Sequence, residues 1–318
     1  MSRFCHPGRI YYGILVLVAL AGLPGCAPTV MVSSRTAARR SHSLLRPEEY
    51  AALSRAWAEA MQFKQEYYQF PDHGREWNRM LAQLEWATAR HRPYPHLIHG
   101  PASRRWVSLT FDDGPDPRTT PLVLDVLHAT RVPATFFLIG RNAERHPNLV
   151  RRIVAEGHVL GNHSYHHIYL TRISPENART ELAACSKVIR LITGRSPRYY
   201  RPPGGHFDDS LVETGRQLGM RLVDWTDTLG DWQSPSPSLL LRHALGMLRP
   251  GGIMLWHDDI PVTAEVLLAF IQEARARGYR FVPLRAFERP AQDRRLDRPA
   301  PVRATVPFTR RAPRPPST

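Results

Sequence analysis

Trp106-Val107-Ser108-Leu109-Thr110-Phe111-Asp112-Asp113-Gly114-Pro115 reads as a buried strand that ends in two acids and a break. Apolar, β-branched and aromatic residues alternate over 106–111, the pattern of a strand. Gly114-Pro115 stops it. Neighbouring side chains on a strand face opposite ways. Where the strand opens into a turn that alternation relaxes, and Asp112 and Asp113 can aim into one cleft. Two carboxylates so close repel unless a cation lies between them or one holds a proton. Asp-Gly-Pro is also ordinary turn chemistry. On this stretch alone, an acidic turn cap and a cation or proton-transfer site both stay open.

Strands and helices alternate from Trp106 to about Phe287. The run 134–139, bounded by Pro133 and Gly140, is too short for a helix and predicts a central parallel strand. Further strands are predicted at 158–160, 199–200, 221–225, 252–256 and 280–282. Helices are predicted at 120–130 (Leu122, Val126 and Leu127 inward), 148–155, 174–193, 238–248 and 263–277. Gly194 should stop the third of these in a left-handed cap. Repeated βα units require a parallel sheet. A full eight-unit barrel needs about 250 residues, and about 180 are present between 106 and 287. The expectation is an α/β fold, a distorted and incomplete (β/α) barrel. Such folds carry chemistry at the C-terminal ends of their strands. Asp112, Asp113, His163, Arg201, Asp231 and His257 all fall there.

The ends of the chain differ from this middle. Arg3 and Arg9 are followed by an apolar run over 10–23, short of the roughly 20 residues of a membrane span and suited to a signal-peptide core. Leu23-Pro24-Gly25-Cys26 resembles a bacterial lipobox, which implies a lipid on Cys26. An uncleaved anchor or an ordinary signal peptide is the competing reading. The organisation expected is a lipoprotein signal peptide at 1–25, a tether at 26–46, a helical hairpin and linker at 47–100, the catalytic domain at 101–288 and a disordered Pro/Arg-rich tail at 289–318. The hairpin rests on two stripes, Leu53, Trp57, Ala60, Met61 and Tyr68, then Trp77, Met80, Leu81 and Leu84. Its aromatics suit a glycan-binding surface, and the plainer readings are packing against the main domain or spacing from the membrane. His91, His96 and His99 flank prolines and are read as exposed.

The net charge of +15 is almost all arginine, the only lysines being Lys64 and Lys187, and much of it lies in the two ends. It forms no stripe of the kind that follows a nucleic acid, so no nucleic-acid partner is expected. Three cysteines make no disulfide framework. Cys185 is expected to be a buried helix residue.

A second informative stretch is Gly161-Asn162-His163-Ser164-Tyr165-His166-His167. Imidazoles at i and i+4 share a helix face and can bind one cation. His163 and His167 have that spacing, and His166 points elsewhere. A lone pair of this kind is more often structural. With one carboxylate it makes a facial set with open positions, which suits a catalytic metal.

These stretches resemble the polysaccharide deacetylases with the NodB homology domain, carbohydrate esterase family four. Thr110-Phe111-Asp112-Asp113-Gly114-Pro115 matches the family's first motif and His163-Ser164-Tyr165-His166-His167 its second. Arg201-Pro202-Pro203-Gly204-Gly205, Asp227-Thr228-Leu229-Gly230-Asp231-Trp232 and Ile253-Met254-Leu255-Trp256-His257-Asp258 are similar to the third, fourth and fifth. The resemblance implies a divalent metal, usually Zn2+, on Asp113, His163 and His167. It implies Asp112 as general base, paired with Arg201, and His257 as general acid, with Asp231 as the carboxylate behind it. The backbone N–H of Gly204 would stabilise the oxyanion, and Leu255 and Trp232 would line an acetyl pocket. Two departures stand out. Gly204 replaces a residue that is often aromatic, which would widen or loosen the groove. Three residues, not two, separate Asp227 from Asp231, which favours Asp231.

The implied activity is metal-dependent hydrolysis of N-acetyl groups from an envelope or extracellular polysaccharide, such as peptidoglycan, poly-N-acetylglucosamine or a chitin-like polymer. The alternatives are an amide hydrolase acting on a small acylated amine and a non-catalytic glycan-binding lipoprotein. The expected location is the cell envelope, held in the membrane through lipid on Cys26. Ala27 in place of an acid after that cysteine points to the periplasmic face of the outer membrane.

Overall fold

The computed structural model describes residues 44–62, 96–233 and 235–288. Strand β1 (Trp106–Asp112) is buried along its whole length. Val107, Leu109 and Phe111 enter the core beneath the helices. Ser108, Thr110 and Asp112, also buried, take the opposite face, as a period of two requires. That inner face is filled by Trp106, Phe137, Trp225, Ile253 and Leu255 among others.

β1 is central. It pairs in parallel with β2 (Ala134–Leu138) on one edge and with β7 (Gly252–His257) on the other. Beyond β2 lie β3 (Val159–Asn162), β4 (Tyr199–Tyr200) and β5 (Arg221–Leu222), and beyond β7 lies β6 (Asp227–Thr228). Every pairing is parallel. β8 (Arg280–Phe281) pairs only with the first two residues of β1. Val107 is matched with both Gly252 and Phe281, so β8 takes the edge that β2 occupies further along. Among the described residues β5 and β6 end the sheet without meeting, which is the incomplete (β/α) barrel expected.

Helices α1 (Pro47–Gln62), α2 (Thr120–Thr130), α3 (Gly140–Arg145), α4 (Pro147–Ala155), α5 (Pro175–Thr193), α6 (Asp209–Gln217), α7 (Pro237–Gly246) and α8 (Pro261–Ala276) accompany the strands. Proline in the first turn opens most of them, where its missing N–H costs nothing. α5 starts on Ser174, whose hydroxyl accepts from the Asn177 N–H, and ends at Gly194 with φ 74°.

Several expectations change. Leu122 is 52% exposed. The inward face of α2 is Thr120, Val123, Leu124 and Leu127, and Leu122 lies about 200° round the helix from Leu124. α3 was not foreseen; Ile139, read as strand, is its N-cap. Only 221–222 of the predicted strand 221–225 pairs as a strand, and Val223 bridges to Leu97 instead. The end of the predicted tether is docked, with Leu45 buried in the core. His96 is buried against Phe207, with ring centroids 5.4 Å apart. Burial, helped by Arg221, pushes its pKa down to about 4. His99 is exposed as expected. Of the hairpin, α1 is present, with Leu53, Ala56 and Ala60 buried and Trp57 at the rim, 37% exposed. Its second stripe, His91, Cys26 and the tail lie outside the described residues.

Candidate active site

Strand register assembles the site. Asp112 is the Cα partner of His257 on β7 and of Phe137 on β2. Leu138 pairs with Asn162, and Asn162 with Tyr200, so His163 and Arg201 leave the same end of the sheet. Asp113 follows with φ 74°. This left-handed conformation is tolerated by aspartate better than by most residues. It breaks the strand alternation and brings the second acid round to the histidines. The Asn142 amide donates to the Asp113 carbonyl at 2.9 Å and holds the turn.

The next glycine is required by contact. A Cβ on Gly114 would lie 2.2 Å from an Asp258 carboxylate oxygen. Asp258 is wholly buried and accepts from the Thr120 hydroxyl. Burial pushes its pKa up to about 8 against the opposing Thr120 hydrogen bond.

His163 and His167 meet, though not on a helix. Residues 163–169 are irregular, and Ser164 and His167 both have φ 61°. Two left-handed residues turn the loop back on itself, so an i, i+4 pair converges without a helical turn. The loop is tied throughout. Ser164 N–H donates to the Asn162 side chain at 2.8 Å, and His167 N–H to the Ser164 hydroxyl at 2.9 Å. The first N–H groups of α3 hold the Ser164 and Tyr165 carbonyls. Buried Glu181 accepts from Tyr165 N–H, His166 N–H and His166 Nδ1, so His166 does turn away from the site.

Asp113 Oδ1 lies 3.3 Å from His163 Nε2 and 3.1 Å from His167 Nε2. Ligands on a tetrahedral zinc, at about 2.0–2.1 Å, stand about 3.3 Å apart. Asp113 Oδ1 is buried with no hydrogen-bond partner among the described residues. His163 Nδ1 faces the Arg201 carbonyl at 2.7 Å, so it is the protonated nitrogen and Nε2 keeps its lone pair for a ligand. The donor set therefore fits a divalent ion. Burial raises the Asp113 carboxyl, but the charge of His167 and the closeness of both imidazoles outweigh it and hold the pKa well below the usual range. Burial lowers His167, and Asp113 overcomes that and raises it.

Arg201 is fully buried, as is Asp112 apart from 2% exposure. Its Nη1 donates to Asp112 Oδ1 at 2.7 Å and to the Thr110 hydroxyl at 3.0 Å. Nε and Nη2 donate to the Val223 and Asp224 carbonyls at 3.1 and 3.0 Å. The guanidinium carbon also stands 4.2 Å over the Phe137 ring. A buried charge needs this degree of satisfaction. Asp112 Oδ2 is left facing the histidines, 3.7 Å from His163 Nε2.

His257 and Asp231 form the other half. His257 Nδ1 lies 2.8 Å from Asp231 Oδ1, and the His257 N–H donates to Oδ2 at 2.7 Å. The Thr263 hydroxyl and the Trp232 N–H complete the Asp231 shell. Burial lowers the His257 pKa, but the Asp231 hydrogen bond and charge outweigh it and raise it to about 10. With Nδ1 on Asp231, Nε2 is the nitrogen left to meet a substrate. Leu255 precedes His257 on the same face of β7 and is buried, and Trp232 is 49% exposed beside Asp231.

Gly204 has φ 67°, and a Cβ there would lie 2.5 Å from the Tyr169 ring. The space beside it is thus taken by Tyr169, which packs edge-on against His206 at 4.9 Å. Of the widening or loosening expected at Gly204, this ring fills the space that widening beside the Cα would need. Sequence reasoning also missed Thr110, Glu181, Thr263 and Asp224. Asp224 is wholly buried behind Arg201, with neither carboxylate oxygen hydrogen-bonded among the described residues. Burial pushes it up to about 7 despite Arg201. An acid between Val223 and Trp225 in the predicted strand 221–225 was the available signal.

A parallel (β/α) sheet with an Asp-His-His cluster, an arginine-held carboxylate and a carboxylate-held imidazole at one end defines a hydrolase. Comparison with known proteins gives the family. Residues 99–223 match the family described as Polysaccharide deacetylase. A peptidoglycan-N-acetylglucosamine deacetylase of Bacillus cereus is 33% identical over 206 residues, 64% of this chain and 75% of that protein. A chitooligosaccharide deacetylase of a Bradyrhizobium species is 37% identical over 195 residues, 57% of this chain and 89% of that one. The solved structure of Bacillus subtilis PdaA, a family 4 carbohydrate esterase, superposes with a TM-score of 0.60 at 31% identity, covering 65% of this chain and 88% of PdaA. The chain belongs to the polysaccharide deacetylase family, and it is an enzyme of that class.

Proposed function

We propose that the protein removes N-acetyl groups from an envelope polysaccharide and releases acetate, with a divalent ion, most simply Zn2+, held by Asp113, His163 and His167. The observation that carries this reading is that Asp112 and His257, direct register partners, flank that ligand set. Its relatives in Bacillus and Bradyrhizobium are named for peptidoglycan and chitooligosaccharides.

When bound, the ion polarises the acetamide carbonyl and acidifies water. Asp112, paired with and oriented by Arg201, takes the proton of the attacking water at Oδ2. The Gly204 N–H contributes a donor to the developing oxyanion. His257, kept cationic by Asp231, protonates the departing amine from Nε2 as the C–N bond breaks. Leu255 and Trp232 enclose the acetyl methyl. The resemblance of Leu23–Cys26 to a lipobox supports a lipid on Cys26 and an enzyme held at the periplasmic face of the outer membrane.

A substrate series tests the polymer against the small-amide reading. The expected result is that kcat/KM rises with chain length from N-acetylglucosamine to its oligomers and to peptidoglycan. Turnover of small acylated amines with none of the glycans would overturn it.

A further inference from the structure

We propose that helix α1 is a positioning element for the metal ligands: it braces the loop that carries His163 and His167. α1 lies wholly before the segment that matches the family, yet it touches that loop on both sides. Tyr50 donates its hydroxyl to Glu144 on α3, and the other Glu144 oxygen accepts from the Tyr165 hydroxyl at 2.6 Å. The two tyrosine rings also meet edge-on, 6.4 Å between centroids. Tyr165 stands midway between the two ligands in sequence.

About two turns further along α1, Trp57 lies against the His166 ring at 5.2 Å. His166 is the residue whose backbone and imidazole are fixed by Glu181. On the far side of His167, Ala56 and Ala60 share a core cluster with Ile168 and Leu170. Two neighbouring residues of the loop therefore rest on this helix, and the segment after His167 shares its core cluster.

The helix is itself anchored firmly. Glu59 accepts from Ser174 N–H at 2.8 Å and from the Asn177 amide at 2.5 Å, at the start of α5. Glu49 holds Lys187 at 2.6 Å further along that helix. Two residues of this loop, Ser164 and the ligand His167, lie in left-handed backbone and need an external brace, because that conformation is strained for any residue but glycine. Within the family-matched segment Glu181 and Asn162 supply part of it, and Tyr50 and Trp57 supply the rest.

The inference rests on the Asp113-His163-His167 reading of the metal site, and the experiment separates the two. The metal-free full-length chain and its Tyr50→Phe, Trp57→Ala, double and His167→Ala variants are titrated with Zn2+ alone. Co2+ absorption reports ligand geometry and thermal unfolding of the metal-free form reports stability. Loss of binding in His167→Ala supports the site itself; unchanged affinity there sinks the site and the inference with it. With the site upheld, Tyr50→Phe with Trp57→Ala is expected to weaken Zn2+ binding about tenfold or more, as loss of outer support does at other metal sites, and to change the Co2+ band. Trp57→Phe should restore most of the affinity. Wild-type affinity and an unchanged Co2+ band in the double variant overturn the inference, since a helix that only adds stability would lower the melting temperature and nothing else. If the double variant does not fold, Tyr50→Phe decides, because it removes one oxygen and no packing.

Discussion

Asp112 and Asp113 differ by one residue and by everything around them. Arg201 holds Asp112 at 2.7 Å, while two imidazoles face Asp113. Asp112→Asn should therefore lower kcat by about 10²–10⁴-fold, the usual worth of a general base, and leave Zn2+ stoichiometry at wild type. Activity retained in that variant would remove Asp112 from its role. His257 makes a second prediction at this scale. Its pKa is raised to about 10, with Asp231 overcoming burial. The ion pair's contribution to stability is then fully present below the unfolded value of about 6.5 and is lost as pH rises through the folded one. In metal-free Asp231→Asn the imidazole should titrate near or below its ordinary value, read by NMR. A value still near 10 would place the source elsewhere.

Elements explain what the sequence could and could not tell. The strand ends of β1, β3, β4 and β7 were legible because buried parallel strands are short apolar runs between Gly and Pro, and the chemistry follows each run. The His163–His167 pair was legible as a pair but not as a loop. Its convergence depends on φ 61° at Ser164 and His167, and no residue type announces a left-handed serine or histidine. Glu181, Thr263 and Tyr169 were illegible for another reason: each acts across about 15 to 35 residues, through contacts that only the packed fold creates. The Gly204–Tyr169 contact yields a prediction here. Gly204→Tyr places a Cβ 2.5 Å from the Tyr169 ring at φ 67°. It should lose about 2–4 kcal/mol from strain and overpacking, and Tyr169→Ala in the same chain should recover part of the loss. Equal melting temperatures for Gly204→Tyr and wild type would show the ring is free to leave. At Gly114, alanine would meet the Asp258 carboxylate at 2.2 Å, and a loss of about 1–3 kcal/mol is expected by the same measurement.

At the scale of the whole molecule, the barrel class followed from counting βα units against chain length, while the docking of α1 was one of several readings its stripe allowed. Its buried face of Leu53, Ala56 and Ala60 resembles any amphipathic stripe, and a stripe does not name what it packs on. The envelope reading predicts that Cys26→Ser shifts the protein from the membrane fraction to the soluble periplasmic fraction. Unchanged membrane fractionation would reject lipid attachment there. The metal reading predicts that saturating Zn2+ raises the unfolding free energy by about 4 kcal/mol at a thousandfold excess over Kd. The most direct single measurement is acetate released from N-acetylated peptidoglycan by the purified enzyme before chelation, after it, and after Zn2+ is restored. The account predicts release, loss and recovery in that order; no acetate from peptidoglycan, poly-N-acetylglucosamine or chito-oligosaccharides, with one Zn2+ bound per chain, would contradict it.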